Sequence, residues 1–293
     1  MTEIPAGRPG PMPFLVLLDE ALRQARRHFR AIYPRVAIPV ALLATAVALI
    51  QASWFSRLTG DIANMRASFW NPAYIGLVAV YSLLLMIAYN TLQVAAVDAI
   101  AGRPIDMKRA WRFTIRGKVL LTLALWYLLT FAAMICCCLP AVVVGPLLAF
   151  VPAVMVDEGR FLADSLSRSA DLTWSHPQGR WTEMALLKVI VLFVVGFLLA
   201  YLIGLLVSLP FQLPMYLDMF RKAAAGEDIM PRMGTWVWLQ VPAQLLNALA
   251  STAIYLYLCF GTALLFFDTR DRKEGADLRS QIDSMFPGGE PTL

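Results

Sequence analysis

Six long apolar stretches, at 36–55, 73–97, 119–139, 141–156, 184–209 and 243–267, alternate along the chain with short polar segments. A hydrocarbon layer about 30 Å thick takes about 20 apolar residues at 1.5 Å rise, and backbone groups inside it must pair within their own segment, which selects helices. The pattern predicts an all-α protein, a polytopic membrane helical bundle with six transmembrane helices. The fourth stretch is short, about 24 Å as a straight helix, and Gly145, Pro146 and Pro152 interrupt it. A re-entrant segment is the alternative to a full crossing there.

Between the stretches a second pattern recurs. An amphipathic segment precedes each odd-numbered span, at 13–35, 106–118 and 160–175. In the first, Leu15, Leu18, Leu22, Ala25, Phe29 and Ile32 recur at helical spacing, while Arg23, Arg26, Arg27 and Arg30 occupy much of the other face. In the second, Asp106 is the expected N-cap, and Ala110, Trp111, Thr114 and Ile115 run beside Lys108, Arg109, Arg112 and Arg116. In the third, Leu162, Leu166, Ala170 and Trp174 form the apolar stripe, with Asp164, Arg168 and Asp171 among the polar positions. The even-numbered spans also close alike, on Val97-Asp98, Val156-Asp157 and Phe267-Asp268, with Gly102-Arg103, Gly159-Arg160 and Gly275 soon after. Three hairpin modules are expected, each an interfacial helix followed by an out-and-back pair of spans, in one membrane domain over 1–293 with a flexible tail at 276–293.

Charge orients the bundle. With six spans, 19 of the 25 Lys and Arg fall on segments sharing the side of the N-terminus and 5 on the other, with Lys188 inside span five. If the fourth stretch failed to cross, the division would be 15 against 9. The positive-inside rule thus favours six crossings with both termini cytoplasmic. Hydrophobic residues make up 59% of the chain and charged residues 15%, more apolar surface than a soluble core of 293 residues hides. The net charge of +5 sits beside the spans, which points to anionic headgroups and not to nucleic acid. About 35 residues precede the first span and Ile50-Gln51-Ala52 is a poor cleavage site, so the first span is expected to be retained.

The stretch Pro152-Ala153-Val154-Met155-Val156-Asp157-Glu158-Gly159, running into Ala163-Asp164-Ser165-Leu166-Ser167-Arg168-Ser169, and the stretch Phe267-Asp268-Thr269-Arg270-Asp271-Arg272-Lys273-Glu274-Gly275 carry a resemblance. In them the chain resembles a bacterial inner-membrane domain that precedes the catalytic part of some glycerophosphodiester phosphodiesterases and also occurs alone. The resemblance implies a stand-alone membrane domain of a bacterial inner membrane. No catalytic residue carries it, and no segment outside the spans exceeds about 35 residues, short of a typical domain, so the phosphodiesterase activity is not implied.

Candidate chemistry is sparse. Gly196, Ala200, Gly204 and Ser208 lie at four-residue spacing on span five and are expected to let a neighbouring helix of the same chain approach closely. Gln240, Gln244, Asn247 and Ser251 share a stripe on span six, and Asn90 and Gln93 lie in span two. Interhelical hydrogen bonds of about 0.6 kcal/mol each are the expectation, and a polar path lined by Asn90, Gln93, Gln244 and Asn247 is the alternative. Lys188 is placed to snorkel to a surface, with Glu183 or Asp157 as partner. The connection at 210–242 is expected to hold a short surface helix anchored by Phe211, Tyr216, Trp236 and Trp238. Cys136, Cys137, Cys138 and Cys259 read as packing residues.

His28 and His176 lack the partners of a zinc helix, and Asp157-Glu158 reads as a solvated helix terminus. Neither a phosphate loop nor a nucleophile elbow occurs. No enzyme activity, metal or cofactor is expected. The residues point to a scaffold or regulatory component that contacts anionic lipids through Arg23, Arg26, Arg27, Arg30, Arg109, Arg112 and Arg116, with a protein partner or a second copy of the chain as further contacts. A transporter or lipid-handling protein is the alternative.

Overall fold

The computed structural model describes residues 13–55, 71–136, 138–174, 184–226 and 237–285. Among them every regular element is helical: α1 Phe14–Phe55, α2 Pro72–Ile100, α3 Met107–Thr114, α4 Gly117–Cys136, α5 Cys138–Leu147, α6 Val151–Asp157, α7 Ala163–Trp174, α8 Ala185–Ala225, a 3-10 turn Val237–Leu239, and α9 Gln240–Met285. Among the described residues four helices are long and apolar enough to cross a membrane: Phe14–Trp54, Pro72–Ile100, Ala185–Pro214 and Gln240–Gly275. A fifth results if α3 and α4, bent by 67° between Met107–Thr114 and Gly117–Ala133, count as one span.

The remaining apolar stretch is broken. The helix through Val144 ends at Leu147, residues 148–150 form turns, and α6 restarts with Pro152 in its first turn. Pro146 and Pro152 bring no amide hydrogen to a helical ladder, which gives the break its local cause. Its polar groups are served by α7. The Ser169 hydroxyl donates to the Leu147 carbonyl (2.8 Å) and accepts from the Phe150 N–H (3.1 Å). Phe150 and Ser169 are fully buried, so a hydroxyl there removes a penalty that an apolar side chain would leave in place. The Thr173 hydroxyl, one turn on, donates to the Ser169 carbonyl (2.7 Å).

This turns the buried face of α7 partly away from the expected stripe, of which Leu166 and Ala170 are half-buried. Ser165, Ser169, Leu172 and Thr173 are buried, whereas Leu162 and Trp174 of the expected apolar stripe are exposed. Small hydroxyl residues win the inner face because the broken helix opposite offers free backbone groups, a tertiary demand that periodicity does not encode.

Other elements run longer than expected. The segment at 13–35 is continuous with span one in the single helix α1, which passes through Pro34 and Pro39. At 42 residues it extends about 63 Å, twice a hydrocarbon layer. Likewise α8 continues from span five through Pro210 and Pro214 to Ala225, so the first half of the 210–242 connection is the end of that helix and not a separate surface helix. Helix α9 continues to Met285, into the expected tail. By contrast α3 is a separate helix, capped as expected: Asp106 Oδ1 accepts from the Lys108 N–H at 2.9 Å.

The chain divides into two compact units. The first comprises Met1–Arg27, Gln93–Val194 and Tyr257–Leu293; the second His28–Leu92 and Val195–Leu256. The first unit has a core of Leu17, Leu123, Phe150, Met155, Leu172, Leu192, Phe260, Leu265 and Phe266, all buried, with Phe150 and Phe266 edge to face at 5.9 Å. Its Gly261 lies so close to Leu192 that a Cβ there would stand 3.0 Å from both Leu192 methyl carbons. In the second unit the Tyr33 hydroxyl donates to the Leu249 carbonyl (3.0 Å), and Tyr89 stacks on Tyr255 at 4.0 Å. Only 17% of the most apolar window of α8 is buried; Phe197, Leu202 and Leu206 are exposed, a surface suited to hydrocarbon and not to water.

Candidate functional site

Two of the three aspartates that close the even-numbered apolar runs, Asp98 and Asp157, share one network of charges in the first unit, and the third, Asp268, is paired in a separate cluster of the same unit. Asp98 lies in the last turn of α2, where the helix dipole disfavours an anion. The chain supplies the compensating cation by turning back on itself. Gly102 adopts φ +72°, its N–H bonds to the Ala99 carbonyl (3.2 Å), and the Arg103 N–H bonds to the Asp98 carbonyl (2.8 Å). This six-to-one closure with a left-handed glycine is a Schellman turn. It delivers Arg103 Nε to Asp98 Oδ1 at 2.7 Å, while Nη1 of the same guanidinium donates to Asp157 Oδ1 at 3.0 Å.

Asp157 is the last residue of α6, and Gly159 at φ +66° turns the chain away after it. Its second oxygen accepts from Arg270 Nη1 of α9. Arg270 in turn lies over the rings of Phe266 and Phe267, at 5.4 and 4.9 Å from their centroids. The third aspartate, Asp268, pairs with Arg272 (3.1 Å) and with Lys188 of α8 (3.7 Å). Only 5% of the Asp268 side chain and 7% of the Lys188 side chain are exposed, so this pair is buried. Lys188 is thus buried and not snorkelling, and among the described residues it pairs with Asp268 and not with Asp157; Glu183, the other expected partner, lies outside the described residues.

Around this centre lies a second ring. Both Glu158 oxygens accept from Arg168 Nε at 3.1 Å, and Arg160 reaches the same carboxylate. Arg168 Nη2 donates to Glu274 of α9 (3.2 Å), and Lys273 pairs with Asp171. Asp157 and Glu158 are therefore an ion-paired joint and not a solvated helix end. Asp98, Asp157, Glu158, Asp171, Asp268, Asp271 and Glu274 face Arg103, Arg160, Arg168, Lys188, Arg270, Arg272 and Lys273, one cation for each anion. Each of these carboxylates lies within ion-pair distance of a guanidinium or ammonium. Among the described residues no group of three or more His, Cys, Asp and Glu is arranged to hold a metal. The arrangement ties the ends of α2, α6, α7, α8 and α9 together electrostatically.

The third repeat departs from the first two. Gly102 and Gly159 are left-handed and end their helices, whereas Gly275 lies inside α9, which runs on. The repeated Asp is ion-paired in each copy, while the repeated Gly has two different structural meanings.

The remaining predicted positions separate into groups. Arg23, Arg26, Arg27 and Arg30 are exposed on α1; Arg23 pairs with Asp19 and Glu20, each at 3.2 Å. Arg109 and Arg112 on α3 and Arg116 beyond it are exposed too, with Arg116 over the Phe113 ring at 5.6 Å. Among the described residues Arg26, Arg27, Arg30, Arg109, Arg112 and Arg116 pair with no carboxylate. The buried stripe of α1 is Leu17, Ala21, Ala25, Ile32 and Val36, while Leu15, Leu22 and Phe29 are exposed beside the arginines.

Gln93 is buried and donates through Nε2 to Thr262 Oγ1 at 2.9 Å, and Thr262 donates to the Leu258 carbonyl at 2.9 Å. Asn90 is buried, Gln244 exposed and Asn247 half-buried. Of the small-residue row, Gly196 is buried and Ala200, Gly204 and Ser208 are half-buried; a Cβ on Gly204 would stand 3.2 Å from Asn247 Oδ1. The row thus meets a helix of the same chain at Gly204. Cys259 is a buried free thiol; Cys137 and His176 lie outside the described residues.

Sequence reasoning missed the network because its pairs join residues far apart in the chain. The available signal was the recurring Asp at the ends of the even-numbered runs, each needing a cation in the fold. No protein-family model, curated protein or solved structure matches this chain.

Proposed function

We propose that this chain is an integral protein of a bacterial inner membrane that crosses it six times as three hairpin modules, with both termini cytoplasmic, and acts without catalysis as a scaffold or regulatory component contacting anionic lipids or partner proteins. The observation that carries the reading is the division of the arginines into two populations. Arg103, Arg168 and Arg270 are consumed by internal carboxylates. Arg26, Arg27, Arg30, Arg109, Arg112 and Arg116 are exposed and meet no carboxylate among the described residues, next to exposed Leu22, Phe29 and Ile115. A cationic row beside exposed apolar side chains matches the boundary between headgroup and acyl chain, where each Lys or Arg near an anionic leaflet contributes about 1 kcal/mol.

Two further observations support it. The segments that carry the resemblance to the phosphodiesterase-associated membrane domain, 152–159, 163–169 and 267–275, supply nine of the fourteen paired charges, so a stand-alone relative of that domain is the family reading we favour. Gln93 and Asn247 are taken up in helix packing, which favours a scaffold over a polar path.

The test is lipid selectivity of the full chain in bilayers of phosphatidylcholine containing spin-labelled phosphatidylglycerol or spin-labelled phosphatidylcholine. The protein should immobilise the anionic lipid preferentially, less so as salt rises, and replacing Arg23, Arg26, Arg27, Arg30, Arg109, Arg112 and Arg116 by Gln should abolish the preference. Equal immobilisation of both lipids by the unaltered protein would remove the lipid-contact reading.

A further inference from the structure

The charged network is not uniform in depth along α9. At Asp268 and Arg270 it is buried: Asp268 is 5% exposed, and Arg270 and Asp157 are each 13% exposed. One turn further the pairs reach solvent. Lys273 meets Asp171, which is 54% exposed, and Arg168 meets Glu274, which is 52% exposed. Gly275 follows at once, a residue that weakens a helix interior by roughly 1 kcal/mol relative to alanine.

From this gradient we propose that residues 271–274 of α9 form an ionic latch on α7 that opens with rising ionic strength, while the segment up to Arg270 stays fixed. Exposed pairs are screened over a Debye length of about 10 Å at 0.1 M salt and about 3 Å at 1 M, whereas buried pairs are screened far less. Opening frees the Asp171 side of α7 and leaves each inner charge paired. Arg168 keeps Glu158, and Arg270 keeps Asp157 and its two aromatic rings. Among the described residues Asp171 is met by Lys273 and Arg168, Glu274 by Arg168 and Arg270, Asp271 by Arg270, and Arg272 by Asp268. Asp268 keeps Lys188 if Arg272 moves away with the latch. The latch does not depend on the lipid-scaffold reading.

Amide hydrogen exchange on the full chain in lipid nanodiscs tests it. Between 0.05 and 0.5 M salt the amides of residues 271–274 should exchange about fivefold faster, the effect of losing two exposed pairs, while 262–268 stay unchanged. The Asp171→Asn/Glu274→Gln double variant should exchange at the high-salt rate already at low salt and respond little to added salt. A salt-independent rate at 271–274 in the unaltered protein, or an equal rise at 262–268, would overturn the latch. A double variant that keeps the full salt response would overturn it as well, since other charges would then carry the effect.

Discussion

Replacing Asp157 by Asn tests whether the network holds the first unit together. The carboxylate serves two guanidiniums, Arg103 and Arg270, and all three side chains are at least mostly buried. Removing one partner of a buried pair costs about 3–5 kcal/mol because the other charge is left uncompensated. Here the loss falls unevenly. Arg103 retains Asp98 at 2.7 Å. Arg270 retains only Asp271 and Glu274, at 3.8 and 3.9 Å, and its aromatic rings. The expected cost is therefore about 2–4 kcal/mol, against less than about 0.5 kcal/mol for Asp271→Asn, whose side chain is 45% exposed. Cys259 offers the assay: it is buried, so a thiol-reactive dye reports unfolding once Cys136, Cys137 and Cys138 are replaced by Ser. Asp157→Asn should lower the unfolding midpoint by several degrees and Asp271→Asn should leave it in place. Equal midpoints for the two variants would refute the reasoning, because depth of burial would then have no bearing on the cost.

Three more outcomes follow from single contacts. Ser169→Ala should destabilise by about 1–3 kcal/mol in the same thiol assay, since it strips the partner from the buried Phe150 N–H and leaves the Leu147 carbonyl only the longer bond from Thr173; Ser167→Ala, on the exposed side of α7, should be silent. Gly102→Ala should cost about 1 kcal/mol by forcing a Cβ into a left-handed turn, whereas Leu162→Gly, at φ +55°, should stabilise by up to about 1 kcal/mol. Gly261→Val should cost about 1–3 kcal/mol through its contact with Leu192, and Leu192→Ala in the same chain should recover part of that loss in a double-mutant cycle.

What the residues revealed directly was whatever depends on nearest neighbours. Apolar length gave the helices, and Asp106 gave the start of α3, since an N-cap acts two residues away. The recurrence of Asp after apolar runs marked the charged joint, though not its partners: whether Arg270 or Lys188 meets Asp157 is decided by how α6, α8 and α9 pack. The face of α7 was misleading for the same reason. Its leucines follow helical periodicity, but the break at 148–150 rewards Ser169 on the inside more than Leu166. Pro34 and Pro39 lie inside α1, and Pro210 and Pro214 inside α8. A proline in a long helix removes one bond among dozens, and packing along the rest of the helix outweighs about 3 kcal/mol.

The proposed topology is tested most directly by single-cysteine labelling of the full chain in sealed inner-membrane vesicles with an impermeant maleimide. Gly10→Cys, Gln178→Cys and Gly289→Cys should label from the cytoplasmic face, and Ala63→Cys, the native Cys138 and Asp228→Cys from the opposite face, with Cys138 reporting whether the broken α5–α6 segment completes a crossing. Labels placing Gly10 and Gly289 on opposite faces would contradict the even number of crossings on which the account stands.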